Sequence, residues 1–85
     1  MKTKKVYNDL KEVLSKLGYK VTQDSGNFAS GFCVIKEEGI VVINRNTPYE
    51  NRVRVLSEFL SSIKTEDIYI KPYIRELMLS YGVTR

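Results

Sequence analysis

The run Ile40-Val41-Val42-Ile43 constrains this chain more than any other stretch, because four consecutive positions are β-branched and apolar. It is too short for a helix, and as a strand it shows apolar side chains to both faces of a sheet. Ile40 and Val42 point one way, Val41 and Ile43 the other. On its N-terminal side, Val34 and Ile35 lead into Lys36-Glu37-Glu38-Gly39. A short loop with glycine last suits a hairpin, since glycine supplies the positive φ that closes it. On the other side Asn44-Arg45-Asn46 ends the strand and Thr47-Pro48-Tyr49-Glu50 reads as a helix start. Thr47 is placed to cap the first free amides, Pro48 loses nothing at the first helical position, and Glu50 reaches back and complements the helix dipole.

The remaining elements follow from periodicity. Residues 3–17 read as a helix, with Val6, Leu10, Val13, Leu14 and Leu17 as one apolar stripe, Thr3 as N-cap and Gly18 as a left-handed C-cap. Residues 19–23 alternate as a short strand, and residues 24–27 carry turn chemistry. A second strand spans residues 28–36, with Phe28, Phe32 and Val34 on one face and Ala29, Gly31, Cys33 and Ile35 on the other. After the third strand, Val53, Leu56, Leu60 and Ile63 make the stripe of a second helix, widened by Tyr49, Val55 and Phe59. Arg52 falls inside that arc, where its stem can lie on apolar surface with a wet head. The sharper reading pairs it with Arg45 as an anion or carboxylate clamp. Pro72 opens a last helix with Ile74, Leu77, Met78 and Tyr81 inward, and Gly82 ends it. The expected fold is α+β: a helix, a three-stranded antiparallel meander taken in sequence order, then two helices, packed mainly on one face in one domain over residues 1–85.

Size makes the two-faced strand consequential. A chain of 85 residues buries only about 60% of its unfolded surface. Cys33 is the only cysteine and histidine is absent, so neither a disulfide nor a zinc site is available as a staple. One sheet face is expected to sit under the helices. The other is expected to show water a patch including Ala29, Cys33 and Ile35, unless the C-terminal segment folds over it. The partner-contact candidates are Cys33, Ile35, Val41 and Ile43, and the anion-binding candidates are Arg45, Arg52 and Arg54.

Charge and chemistry narrow the function classes. The net charge of +4 is matched by the first 20 residues alone, which hold six lysines against Asp9 and Glu12. No apolar run approaches the roughly 20 residues that span a bilayer, and the lysine-rich start lacks a following apolar segment, so a cytoplasmic location is expected and a membrane partner is not. Without histidine there is no Ser-His-Asp or Cys-His catalysis. Gly26 and Gly31 are not followed by a Lys-Ser/Thr pair, so no phosphate loop is formed. Glu37 and Glu38 share a turn and cannot converge as an acid/base pair. Neither an enzyme nor a cofactor is expected; the partner is expected to be a second copy or another protein.

Two families bear on these residues. The segment Val41-Val42-Ile43-Asn44, followed by Arg52-Val53-Arg54-Val55-Leu56-Ser57-Glu58-Phe59-Leu60, resembles part of the ImmA/IrrE-type metallopeptidases. There a hairpin ending in an Ile-Asn-like strand precedes a helix bearing His-Glu-x-x-His. In the closest register Glu58 and Ser62 stand at the histidine positions and Phe59 at the catalytic glutamate, so the resemblance implies a layout without the activity. The whole chain is also similar to small bacterial proteins of helix–strand–strand–strand–helix–helix order. The same order resembles a double-stranded-RNA-binding domain, which reads RNA with its first helix, its first strand-connecting loop and a lysine-rich start to its last helix. That resemblance implies nucleic acid as the alternative partner. Here residues 45–54 supply Arg45, Arg52 and Arg54 together with Glu50 but no lysine cluster, and the loop at residues 24–27 carries Asp24.

Overall fold

The computed structural model describes residues 3–25 and 32–82 of the chain. Its elements are α1 (Thr3–Lys16), β1 (Lys20–Asp24), β2 (Phe32–Ile35), β3 (Ile40–Asn44), α2 (Tyr49–Ser61) and α3 (Pro72–Tyr81), with one 3-10 turn at Lys36–Glu38 between β2 and β3. The fold is α+β in the expected element order. The expected residues 28–31 of the second strand lie outside the described residues.

The sheet departs from the meander. Its order is β1-β3-β2, with β3 central. β2 runs antiparallel to β3, as a hairpin requires, but β1 runs parallel to it, with Val21 beside Val41 and Gln23 beside Ile43. The physical reason lies in the strands' polarity. A central strand is flanked on both sides and suits a sequence apolar on both faces, whereas charged strands belong at edges. Ile40-Val41-Val42-Ile43 takes the centre, and β1, with Lys20 and Asp24 at its ends, takes an edge.

The three helices share one side of this sheet. Val41 and Ile43 are 0% and 1% exposed and join Val6, Leu10, Leu14, Leu56, Leu60, Ile70 and Ile74 in a single core. Each large aliphatic side chain sealed there contributes about 1.5–3 kcal/mol by leaving water. The apolar stripes of α1 and α2 meet each other, and α3 packs on α2. The C-terminal segment therefore adds to the helical layer: Ile70 and Ile74 sit in the same core as Val41 and Ile43.

Local signals act largely as their chemistry dictates, with one shift. Gly18 ends α1 at φ 92°, and the Tyr19 amide donates back to the Leu14 carbonyl at 2.8 Å. Gly39 closes the β2–β3 hairpin at φ 65°. At α2 the expected capping box does not form. Pro48 occupies the cap position with no side-chain cap hydrogen bond. The Thr47 carbonyl instead accepts from Arg52 Nε at 2.8 Å, so a residue one turn inside the helix holds the entry loop.

Candidate functional site

Strand register sorts the sheet residues into two sets. Ile35 stands beside Ile40 and Cys33 beside Val42 across the hairpin. On the other side Lys20 stands beside Ile40, Thr22 beside Val42 and Asp24 beside Asn44. Side chains of laterally paired residues share a face. The face away from the core thus reads Lys20, Ile40, Ile35 in one row, Thr22, Val42, Cys33 in the next, and Asp24, Asn44 in the third. Cys33 and Ile35 are exposed, Ile35 at 36%, while Ile40 and Val42 are half-buried.

The partner-contact candidates are therefore split. Cys33 and Ile35 lie on the open face, but Val41 and Ile43 lie beneath the helices as core residues and are not available to a partner. The open-face residues of β3 are Ile40 and Val42. The hairpin itself carried this signal: a four-residue loop pairs Ile35 with Ile40, and stepping outward by twos brings Cys33 to Val42.

The three arginines are not pooled either. Arg52 is 4% exposed, so its head is not in water. Nε and Nη2 donate to the carbonyls of Thr47 and Arg45 at 2.8 Å each, and the guanidinium carbon lies 4.7 Å from the Tyr49 ring centroid and 5.3 Å from that of Tyr7. Arg45 enters this arrangement through its backbone while its side chain is exposed. Arg54 is tied to Glu58 at 3.0 Å along α2. A cleft of about 250 Å³ beside this corner is lined by Asn44, Asn46, Thr47, Asn51, Arg52 and Arg54 among others. Arg52 turns its fork to its own loop and so fastens the β3–α2 connection. Its Nη1 and the Tyr7 hydroxyl are buried without a hydrogen-bond partner among the described residues.

One polar cluster escaped sequence reasoning. The Tyr73 hydroxyl on α3 donates to Asp9 on α1, which also accepts from Lys5 at 3.0 Å and has Lys71 at 3.6 Å. The Tyr73 hydrogen bond, then Lys5, hold the Asp9 carboxyl below its usual range. Burial first, then Asp9, push the Tyr73 hydroxyl up to about 12. Residues 64 apart in the chain meet here, and no local pattern marks them.

Glu58, Phe59 and Ser62, the residues at the His-Glu-x-x-His positions of the resemblance, are engaged in local packing and bonding. Glu58 pairs with Arg54, the Ser62 hydroxyl donates to the Phe59 carbonyl at 2.6 Å, and Phe59 packs edge-on against Tyr19 at 5.1 Å. Among the described residues no group of His, Cys, Asp and Glu is arranged to hold a metal ion, and no helix is long and apolar enough to cross a membrane. Comparisons with protein-family models, curated proteins and solved structures find no match.

Proposed function

We propose that this chain is a small, non-catalytic protein-interaction domain whose contact surface is the open face of its sheet. The observation that carries the reading is the row structure of that face: Cys33, Ile35, Ile40 and Val42 lie together on the side away from the core. The helices cover the opposite side, where Val41 and Ile43 are buried in the core. Grouped apolar side chains on a domain this small are a contact surface rather than scattered exposure. The inventory of side chains supports a binding role over catalysis, because the chain has no histidine and its buried arginine is engaged with backbone carbonyls. A lone free thiol at Cys33 suits the reducing cytoplasm.

Self-association is the first form of this activity to measure. In a sedimentation-velocity series the full chain is expected to move from monomer to a larger species at high micromolar concentration. Amide exchange should slow in β1–β3 over the same range. A chain that stays monomeric throughout, with exchange in the sheet independent of concentration, contradicts the proposal.

A further inference from the structure

The open face carries a pattern that specifies how a second copy would sit on it. β1 presents Lys20 at one end of this face and Asp24 at the other, four residues apart, a span of roughly 13 Å. Both side chains are exposed, and among the described residues neither takes part in an ion pair; the Asp24 Oδ1 accepts only from the Ser25 amide at 2.7 Å. Opposite charges at the two ends of one edge, with the Thr22–Val42–Cys33 row between them, are complementary to themselves after a half-turn.

Resting on the reading of this face as a contact surface, we infer that the chain pairs with a second copy of itself, open face to open face, about a two-fold axis running along the Thr22–Val42–Cys33 row. That axis reverses the strands and lays β1 over β1. Lys20 of each copy then meets Asp24 of the other, giving two identical ion pairs. Val42 and Cys33 each meet their own counterpart, and Ile40 meets Asn44. The other two-fold arrangement of stacked sheets, with the axis along the strands, lays β1 over β2. It sets Lys20 against Ile35 and leaves both charges unpaired, so desolvation opposes it. A symmetric pair needs one self-complementary patch, and the β1 edge of this face, with Lys20 and Asp24 at its ends, provides one.

The footprint sets the expected strength. Three strands of four or five residues give a contact well below the roughly 800 Å² per partner of a standard interface, so the pair is weak and forms at high micromolar concentration. Stacked sheets sit about 10 Å apart, which places the two Cys33 thiols within reach of a short bismaleimide.

The test is sedimentation equilibrium on the full chain and on Lys20→Asp, Asp24→Lys and Val42→Glu, each checked for folding by circular dichroism. Each charge reversal alone opposes like charges twice and is expected to weaken self-association about tenfold. Mixing the two reversed chains is the decisive arm, because K20D presents two carboxylates where D24K presents two ammonium groups. The mixture should associate at least as tightly as the parent chain, and the bismaleimide should link Cys33 to Cys33 in the parent and in the mixture, but weakly in either variant alone. If the reversals have no effect, or the mixture shows no gain, while Val42→Glu still dissociates the parent pair, the proposed arrangement is wrong and the contact face stands. A parent chain that never associates, or a pair indifferent to Val42→Glu, removes both.

Discussion

Arg52 sits on the core-facing arc of α2 because its planar fork can fasten two carbonyls of the entry loop while two tyrosine rings cover its faces. Lysine has no fork and would carry an ammonium into the same buried position. Arg52→Lys is therefore expected to cost about 2–3 kcal/mol, because a buried charge loses its fixed partners. Arg52→Met should cost less, about 1–2 kcal/mol, since it removes the buried charge along with the fork and leaves only two neutral carbonyls without their donor. Urea midpoints for the two variants check the order, and a lysine variant as stable as the parent would refute it. The Asp9–Tyr73 pair adds a pH dependence. A carboxyl lowered from its usual 3.8 in the folded chain contributes stability that is present above that value and lost as pH falls through the lower folded value. A hydroxyl raised from 10.0 to about 12 contributes stability that is present below pH 10 and lost as pH rises toward 12. The urea midpoint should be flat across neutral pH and fall at both ends. Tyr73→Phe should lower the neutral plateau by about 1.5–2 kcal/mol and flatten the fall between pH 10 and 12.

Among the elements, the parallel pairing of β1 with β3 depends on a close approach of two turns. The Lys20 amide donates to the Gly39 carbonyl at 2.7 Å, and a Cβ at Gly39 would stand 2.6 Å from the Gly18 carbonyl oxygen. Gly18 has a positive φ but open space about it. Gly18→Ala is thus expected to cost about 1 kcal/mol of backbone strain. Gly39→Ala meets the same strain and a backbone collision, and should cost about 2–3 kcal/mol and loosen amide protection in β1 first. Equal thermal stability of the two variants would count against this account of the junction. The elements themselves were legible in the sequence because helix stripes, Pro72, Gly18 and Gly39 act within a turn or two of where they stand. Strand order was not, because the alternation in residues 19–23 fixes a face but not a neighbour. What could have ordered the sheet was the contrast between a run apolar on both faces and a strand with charge at its ends. The open face is half legible: alternation puts Cys33 and Ile35 on one face, as the register does, but the reading that adds Val41 and Ile43 to them is one residue out of register, since Ile40 and Val42 are their lateral neighbours. The Arg52 fork could not be read at all, since its acceptors are backbone carbonyls that any sequence would offer.

For the whole molecule, a net charge of +4 invites an electrostatic partner only if the charge is gathered. On α1 it is divided. At 100° per residue Lys4 and Lys11 lie along one flank of the buried stripe and Lys5 and Lys16 along the other, about 120° away. Glu12 stands on the ridge between them. Lys5 is engaged by Asp9, Lys11 lies 5.3 Å from the Tyr7 ring centroid, and on α2 Arg54 is engaged by Glu58. A duplex laid on either flank meets about two lysines. Each neutralised phosphate contributes roughly −0.9 to the slope of log affinity against log salt, so duplex RNA should bind with a slope near −2 and be released by about 150 mM salt. Reversing Lys4 and Lys11, or Lys5 and Lys16, should each remove only part of the low-salt binding. A complex that survives 150 mM salt with a slope steeper than about −4 would require the two flanks and the arginines to act on one surface. The divided arrangement of α1 forbids that, and such a result would force the functional reading away from the sheet and toward the helices.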